Sequence, residues 1–207
     1  MSTYQDLNTP ARILLGPGPS TVHPRVLNAM AHPLLGHLDP QFLKVMNEVQ
    51  ELLRYTFQTE NLLTIPVSGT GSASMEASLC NFIEPGDEII IGVNGYFGER
   101  LVDMAERYGA VVRRLDKEWG DVFSRAEIEA ELKKKPAKII ALVHAETSTG
   151  ALQPMEGIGD LAYRHGALLL IDCVTSLGGV PVRIDEWGVD IAYSGTQKCI
   201  SCPPGLG

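Results

Sequence analysis

Leu168-Leu169-Leu170-Ile171-Asp172 and, further along, Asp190-Ile191-Ala192-Tyr193 followed by Ser194-Gly195-Thr196-Gln197-Lys198 decide how this chain folds. Each is a short, mainly apolar run that ends at a polar residue and a turn. Neither alternates apolar with polar side chains, so each expects cover on both faces, as strands of a parallel sheet have when helices flank them. Working outward, the pattern recurs. Glu88 to Val93, Val111 to Leu115 and Lys138 to Val143 read as strands; helices are expected from about Phe97 to Tyr108, Ser124 to Lys134 and Met155 to Arg164. Strands alternating with helices predict an α/β fold with a mostly parallel sheet.

Nearer the amino terminus, Pro40 is a good first helical residue. Phe42, Leu43, Val45, Met46, Val49, Leu52 and Leu53 then make an apolar stripe at helical spacing as far as about Thr56. Leu62 to Val67 is expected as a short strand. Ser68-Gly69-Thr70-Gly71-Ser72 then opens a helix that runs to about Phe82, with Met75, Leu79, Phe82 and Ile83 as its apolar face, and Glu84-Pro85-Gly86-Asp87 ends it. Before all of these, Ile13-Leu14-Leu15-Gly16-Pro17-Gly18-Pro19-Ser20 carries glycines and prolines that forbid a regular element and favour a shaped loop. Lys133-Lys134-Lys135, at the tail of a predicted helix, reads as a solvated run that complements the helix dipole.

Composition narrows the functional classes. The 207 residues carry a formal net charge of -8, which offers no basic face to a phosphate backbone or an anionic membrane, so nucleic acid and membrane are poor expectations as partners. No run approaches the roughly 20 apolar residues that span a bilayer. Cys80, Cys173, Cys199 and Cys202 stand without a leader-like segment at Met1 to Ala11, which reads as a reduced, intracellular protein. Cys199 and Cys202 form a lone CxxC followed by Pro203-Pro204, a weak signal for either zinc or redox chemistry, and no metal site is expected.

The chemistry concentrates where strands end. Asp172 should sit at the carboxyl end of a central strand, where ligands of open α/β sheets gather. A carboxylate there can accept from a protonated pyridine nitrogen and keep it cationic, although it can also cap the next turn. Lys198 follows the next strand, with Gly195 admitting a close turn. Its amine can capture an aldehyde and move a proton, although a strand-end lysine more often faces solvent. Together the two can hold the two decisive ends of pyridoxal 5'-phosphate. Ser68 to Ser72 puts small residues and free amides at a helix start, with Thr70 and Ser72 hydroxyls able to donate to phosphate; tight packing explains such a start equally well. The hydroxyls of His144-Ala145-Glu146-Thr147-Ser148-Thr149-Gly150 can donate to the ring's phenolate oxygen or merely stabilise a turn. Tyr96 and Phe97 are aromatics able to cover a ring face. His23, His32, His37 and His165 match no metal spacing.

In order along the chain, Leu15 to Ser20, Ser68 to Gly71, Glu84 to Asp87, Asn94-Gly95, His144 to Pro154, Asp172 to Gly179 and Tyr193 to Lys198 with Pro203-Pro204-Gly205 resemble the class V, fold-type I aminotransferases. Within them the resemblance is to the serine–pyruvate and alanine–glyoxylate family. It implies that Lys198 forms the Schiff base with pyridoxal phosphate and Asp172 pairs with the pyridine nitrogen. Phe97 is implied to stack on the ring, where the family often has tryptophan, and Thr147 to lie near the phenolate oxygen. Thr70, Gly71, Ser72 and Gln197 look like phosphate-side contacts, and Gly18 like part of the loop lining the substrate entrance. The implied activity is transamination between serine or alanine and glyoxylate or pyruvate, in a homodimer.

Family members run to nearly twice this length. On that comparison, residues 1–20 are expected to form an arm and entrance loop and residues 21–207 an incomplete cofactor-binding large domain. The small C-terminal domain and the arginine that clamps the substrate carboxylate are expected to be absent; Arg183, ahead of a strand-like stretch, is no substitute. Alternatives at this stage are an inactive truncated fragment, or another class V reaction such as cysteine desulfuration or phosphoserine transamination. Cytoplasmic and peroxisomal locations are left undecided, because a peroxisomal address is carried at a C-terminus.

Overall fold

The computed structural model describes residue 4 and residues 6–207. The chain forms α1 (Pro24–Met30), α2 (Pro40–Phe57), α3 (Gly71–Cys80), β1 (Glu88–Val93), α4 (Tyr96–Arg107), β2 (Val111–Asp116), α5 (Arg125–Lys134), β3 (Ile139–Val143), α6 (Ile158–Arg164), β4 (Leu168–Asp172) and β5 (Ile191–Tyr193). The five strands make one parallel sheet in the order β2-β1-β3-β4-β5. The chain leaves β1 for β2 on one side and then crosses back to place β3 on the other. At that reversal the loops after β1 and β3 diverge, and a crevice opens beyond the carboxyl ends of the two strands.

Both faces of the sheet are buried, which explains the apolar runs. Ile90, Ile140, Leu142, Leu169 and Ile171 point to one side and pack with Ile128 and Leu132 of α5 and Ile158 and Leu161 of α6. Ile89, Ile91, Val93, Ile139, Ala141, Val143 and Leu170 point to the other and pack with Met75 and Leu79 of α3 and Leu101 and Ala105 of α4. β2 is the exception. It is the half-exposed edge, where Arg113 pairs with Glu88 at 3.2 Å and Arg114 with Glu99 and Asp116 at 2.7 and 2.8 Å, charges that protect an open edge from pairing with another strand.

Sequence and structure differ in four places. Leu62 to Val67 is extended but joins no strand of the sheet. Leu62 and Leu63 lie exposed, and the run meets the end of the chain, where Val67 and Gly207 exchange backbone hydrogen bonds of 2.7 and 3.0 Å. Helix α6 starts at Ile158 rather than Met155, since Gly157 holds a left-handed φ of +73° just before it. α1 is too short to show a periodic stripe. Pro24 at its first position was the available signal, and His23 Nδ1 accepts from Arg25 N–H as its cap. The stretch after Arg183 is a turn, and Arg183 itself pairs with Glu186 at 3.0 Å. Among the described residues no helix is long and apolar enough to cross a membrane.

Candidate active site

The residues assigned cofactor roles from the sequence lie where strands β1, β3, β4 and β5 end or pack against those ends. Asp172 ends β4 and is buried, although it is ionisable. Parallel register sets it beside Val143 of β3 and Tyr193 of β5. Val174 N–H donates to its Oδ1 at 2.9 Å and the Tyr193 hydroxyl donates to its Oδ2 at 2.6 Å. Burial pushes the Asp172 carboxyl up to about 6; the two hydrogen bonds work against that rise, the Glu146 charge adds to it and the Arg100 charge opposes it. The site therefore holds a carboxylate whose charge is poorly compensated. A cation set against it would offset the cost of its burial.

Lys198 lies five residues past the end of β5, and the arm folds over it. Lys198 Nζ donates to Pro17 O at 2.5 Å, and Ser20 N–H donates to Gln197 O at 2.8 Å. Gly18 holds a φ of +122°, and a Cβ there would collide with the Lys198 side chain. Glycine is thus favoured by conformation, and a side chain there would push the Lys198 amine aside. The Gly18 loop and Lys198 therefore meet.

The start of α3 faces the same turn. Gly71 approaches Gly195 closely enough that a Cβ on Gly195 would stand 3.3 Å from Gly71 Cα. Thr70 is the N-cap yet makes no side-chain cap bond, and no acidic residue occupies the first turn. The free amides and the helix dipole here favour an anion. Beside them Gln197 Oε1 is buried without a partner. Turned about its last side-chain bond, that amide offers an N–H in place of the oxygen, the group an anion needs. Ser72 Oγ accepts from Arg100 of α4 at 2.9 Å, which brings a fixed positive charge to this corner.

The crevice between β1 and β3 is closed by a residue that sequence reasoning passed over. Glu146 is almost fully buried, and its Oε2 accepts from Phe97 N–H and Gly98 N–H at 3.1 and 3.3 Å. Its Oε1 accepts from Ser148 N–H and Ser148 Oγ–H at 3.0 and 2.7 Å, and Ser148 Oγ accepts from Tyr96 N–H at 2.9 Å. One carboxylate thus ties the loop carrying Thr147 to the helix start carrying Phe97. The Thr147 hydroxyl in turn meets that of Thr175. Only a topology that sets β3 beside β1 brings these segments together, so no local pattern announced it. Glu146→Gln puts an amide N–H against at least one of these donors. It should lower stability by about 1–3 kcal/mol in urea denaturation and weaken pyridoxal phosphate binding as well.

Among the other predicted positions, Phe97 is half-buried with Tyr96 edge-on at 5.4 Å. Cys173 is fully buried, while Cys199 and Cys202 are free thiols. His144 is buried with Nδ1 2.9 Å from Ser176 Oγ and its ring edge-on to Trp187. Burial holds its pKa below the usual value, marking it as a neutral packing residue. Among the described residues no group of three or more His, Cys, Asp or Glu is arranged to hold a metal ion.

The parallel α/β sheet flanked by helices, with a buried carboxylate and an amine at one rim, has the fold of the fold-type I class of pyridoxal-phosphate enzymes. The aminotransferase class-V pattern matches residues 14–207, and the chain belongs to that family. It is 47% identical over 206 residues to (S)-ureidoglycine–glyoxylate transaminase of Bacillus subtilis, covering 100% of this chain and 50% of that protein. It is 45% identical to alanine–glyoxylate aminotransferase of Rattus norvegicus, covering 97% of this chain and 48% of that one. The solved alanine–glyoxylate aminotransferase of Nostoc sp. superimposes with a TM-score of 0.97 at 60% identity, over 99% of this chain and 54% of that chain. The chain spans about half the length of the curated relatives it matches.

Proposed function

We propose that the complete protein transfers an amino group from a small amino acid, serine or alanine, to a small 2-oxo acid, glyoxylate or pyruvate. The observation that carries this reading is the convergence of a buried Asp172, the Lys198 amine and the α3 anion cradle on one rim of the sheet. The relatives named for glyoxylate transamination narrow the substrate class. The residues fit pyridoxal 5'-phosphate: the unpartnered Gln197 amide and the open amides of α3 suit its phosphate, and the under-compensated Asp172 suits its ring cation.

When bound, that cofactor supplies an aldehyde that condenses with amines and a ring that draws electrons from the substrate's α-carbon. The chain's residues do the rest. Thr70, Gly71, Ser72 and Gln197 would hold the phosphate, and Asp172 would keep a proton on the ring nitrogen. Phe97 would cover one face of the ring, and the Thr147 hydroxyl would donate to its phenolate oxygen. With the cofactor in place, Lys198 Nζ would hold it by its aldehyde end and would serve as the base for the substrate α-proton. The loop at Gly18 bounds the entrance beside that amine and limits water there. We further read residues 1–20, of which 1–3 and 5 lie outside the described residues, as the arm and entrance loop and residues 21–207 as the body of the cofactor domain. A homodimer is proposed as the working form, supported by exposed Leu15, Leu34 and Leu38, apolar surface that a second subunit would cover.

Assays of the full-length protein with alanine or serine against glyoxylate or pyruvate test the reading. Turnover with one of these pairs is expected. Sulfur release from cysteine without amino transfer would replace the proposal with desulfuration.

A further inference from the structure

The Tyr193 hydroxyl has no part in the reaction as drawn, yet it is the closest contact that Asp172 makes. Its ring is buried in the same apolar cluster as Leu170 of β4 and Met75 and Leu79 of α3, where phenylalanine would fill the same space. A phenol in such surroundings needs a partner for its O–H, and Asp172 Oδ2 at 2.6 Å is that partner. The other oxygen receives Val174 N–H at 2.9 Å, a group that can only donate. Two donors therefore fix both oxygens of one carboxylate at the end of β4.

We propose that Tyr193 is a positioning residue for cofactor binding: its hydroxyl pins Asp172 as a preset acceptor for the ring nitrogen, before the ring arrives. The inference rests on the assignment of Asp172 above and adds to it the group that makes Asp172 fit for the task. The groups facing Asp172 are Tyr193 on β5, Val174 in the next turn, Glu146 after β3 and Arg100 on α4, with Cys173 next in the chain. Burial acts first to keep a proton on Asp172, and Glu146 adds to it. Tyr193, Val174 and Arg100 act the other way. Burial and then the Asp172 charge hold the Tyr193 proton far above the ordinary tyrosine range, so it remains a donor at every working pH. Without that hydroxyl the forces that protonate Asp172 are less opposed. A protonated carboxyl offers the pyridinium N–H a weaker acceptor and no charge.

The test uses full-length wild type, Tyr193→Phe, Asp172→Asn and the double variant, each titrated with pyridoxamine 5'-phosphate. This probe has no aldehyde, so it reports the ring contact without Lys198. Tryptophan fluorescence reads binding from about pH 5 to about pH 9, a range that brackets the Asp172 transition. Y193F is expected to bind about 10-fold more weakly near neutrality, with the acid limb moved up by about one pH unit. The double variant is expected to bind as D172N does, because Tyr193 acts through Asp172. Wild-type affinity and an unmoved limb in Y193F would overturn the inference. So would a double variant whose loss is the sum of the single losses, the mark of a merely structural tyrosine. Should D172N bind like wild type, the assignment of Asp172 fails and this inference falls with it; failure of Y193F alone leaves that assignment standing.

Discussion

Lys198→Ala is expected to lower transamination by about 10⁴-fold or more, the largest effect of any single change in this chain. Two functions vanish together: the covalent hold on the cofactor's aldehyde carbon and the base for the substrate α-proton. No neighbouring group replaces them, since the nearest polar contact of Nζ is a backbone carbonyl, Pro17 O. Folding should be untouched, because the turn around Gly195 and the cradle at Gly71 do not depend on the amine. The check is turnover by the full-length variant with alanine and glyoxylate, together with its far-UV circular dichroism. Partial recovery on adding a small primary amine would mark the missing group as the base.

Asp172→Asn should separate activity from stability. Loss of the charge on the ring nitrogen is expected to cost about 10²–10³-fold in kcat, the usual effect of removing one electrostatic stabiliser. The cofactor-free protein, by contrast, should become more stable at neutral pH. Burial raises the Asp172 carboxyl from 3.8 to about 6, so the folded protein holds a proton there that the unfolded chain has lost. Stability contributed by this group is full below about pH 4 and is lost as pH rises through about 6. Above that, the buried charge costs up to about 3 kcal/mol at about 1.4 kcal/mol per pKa unit. Asparagine never ionises. In urea denaturation the wild type should lose stability across that window relative to D172N, and saturating pyridoxal phosphate should return it. Equal pH dependence in the two apo proteins would mean that Asp172 is not under the strain its burial implies.

The strand runs were legible because burial on both faces leaves no room for polar residues: Ile89 to Ile91, Ile139 to Val143 and Leu169 to Ile171 are each fully or almost fully buried. Helix α2 showed in its apolar stripe and its opening Pro40, and α4 and α5 in their place between strand runs, whereas the capping box of Ser124 and Glu127 is a feature of the structure. Pairing order was not legible, because a run such as β3 carries the same residues whether it lies beside β1 or β2. For the same reason the role of Glu146 stayed hidden. Its partners at Phe97 and Gly98 are distant in sequence and meet it only across the β1–β3 crevice. Tyr193 was visible as the last residue of a strand, but its bond to Asp172 follows from the in-register β4–β5 pair. Leu62 to Val67 misled because its apolar residues are those of a strand while its pairing partner is the segment at 205–207.

The most direct test is chemical. Full-length protein is mixed with pyridoxal phosphate, reduced with borohydride, digested, and searched for the lysine that carries the pyridoxyl group. The label is predicted on Lys198 and is expected to weaken when Asp172 is replaced by asparagine. A label on Lys117, Lys138 or any other lysine, with Lys198 unmodified, would contradict a cofactor held between Asp172 and Lys198.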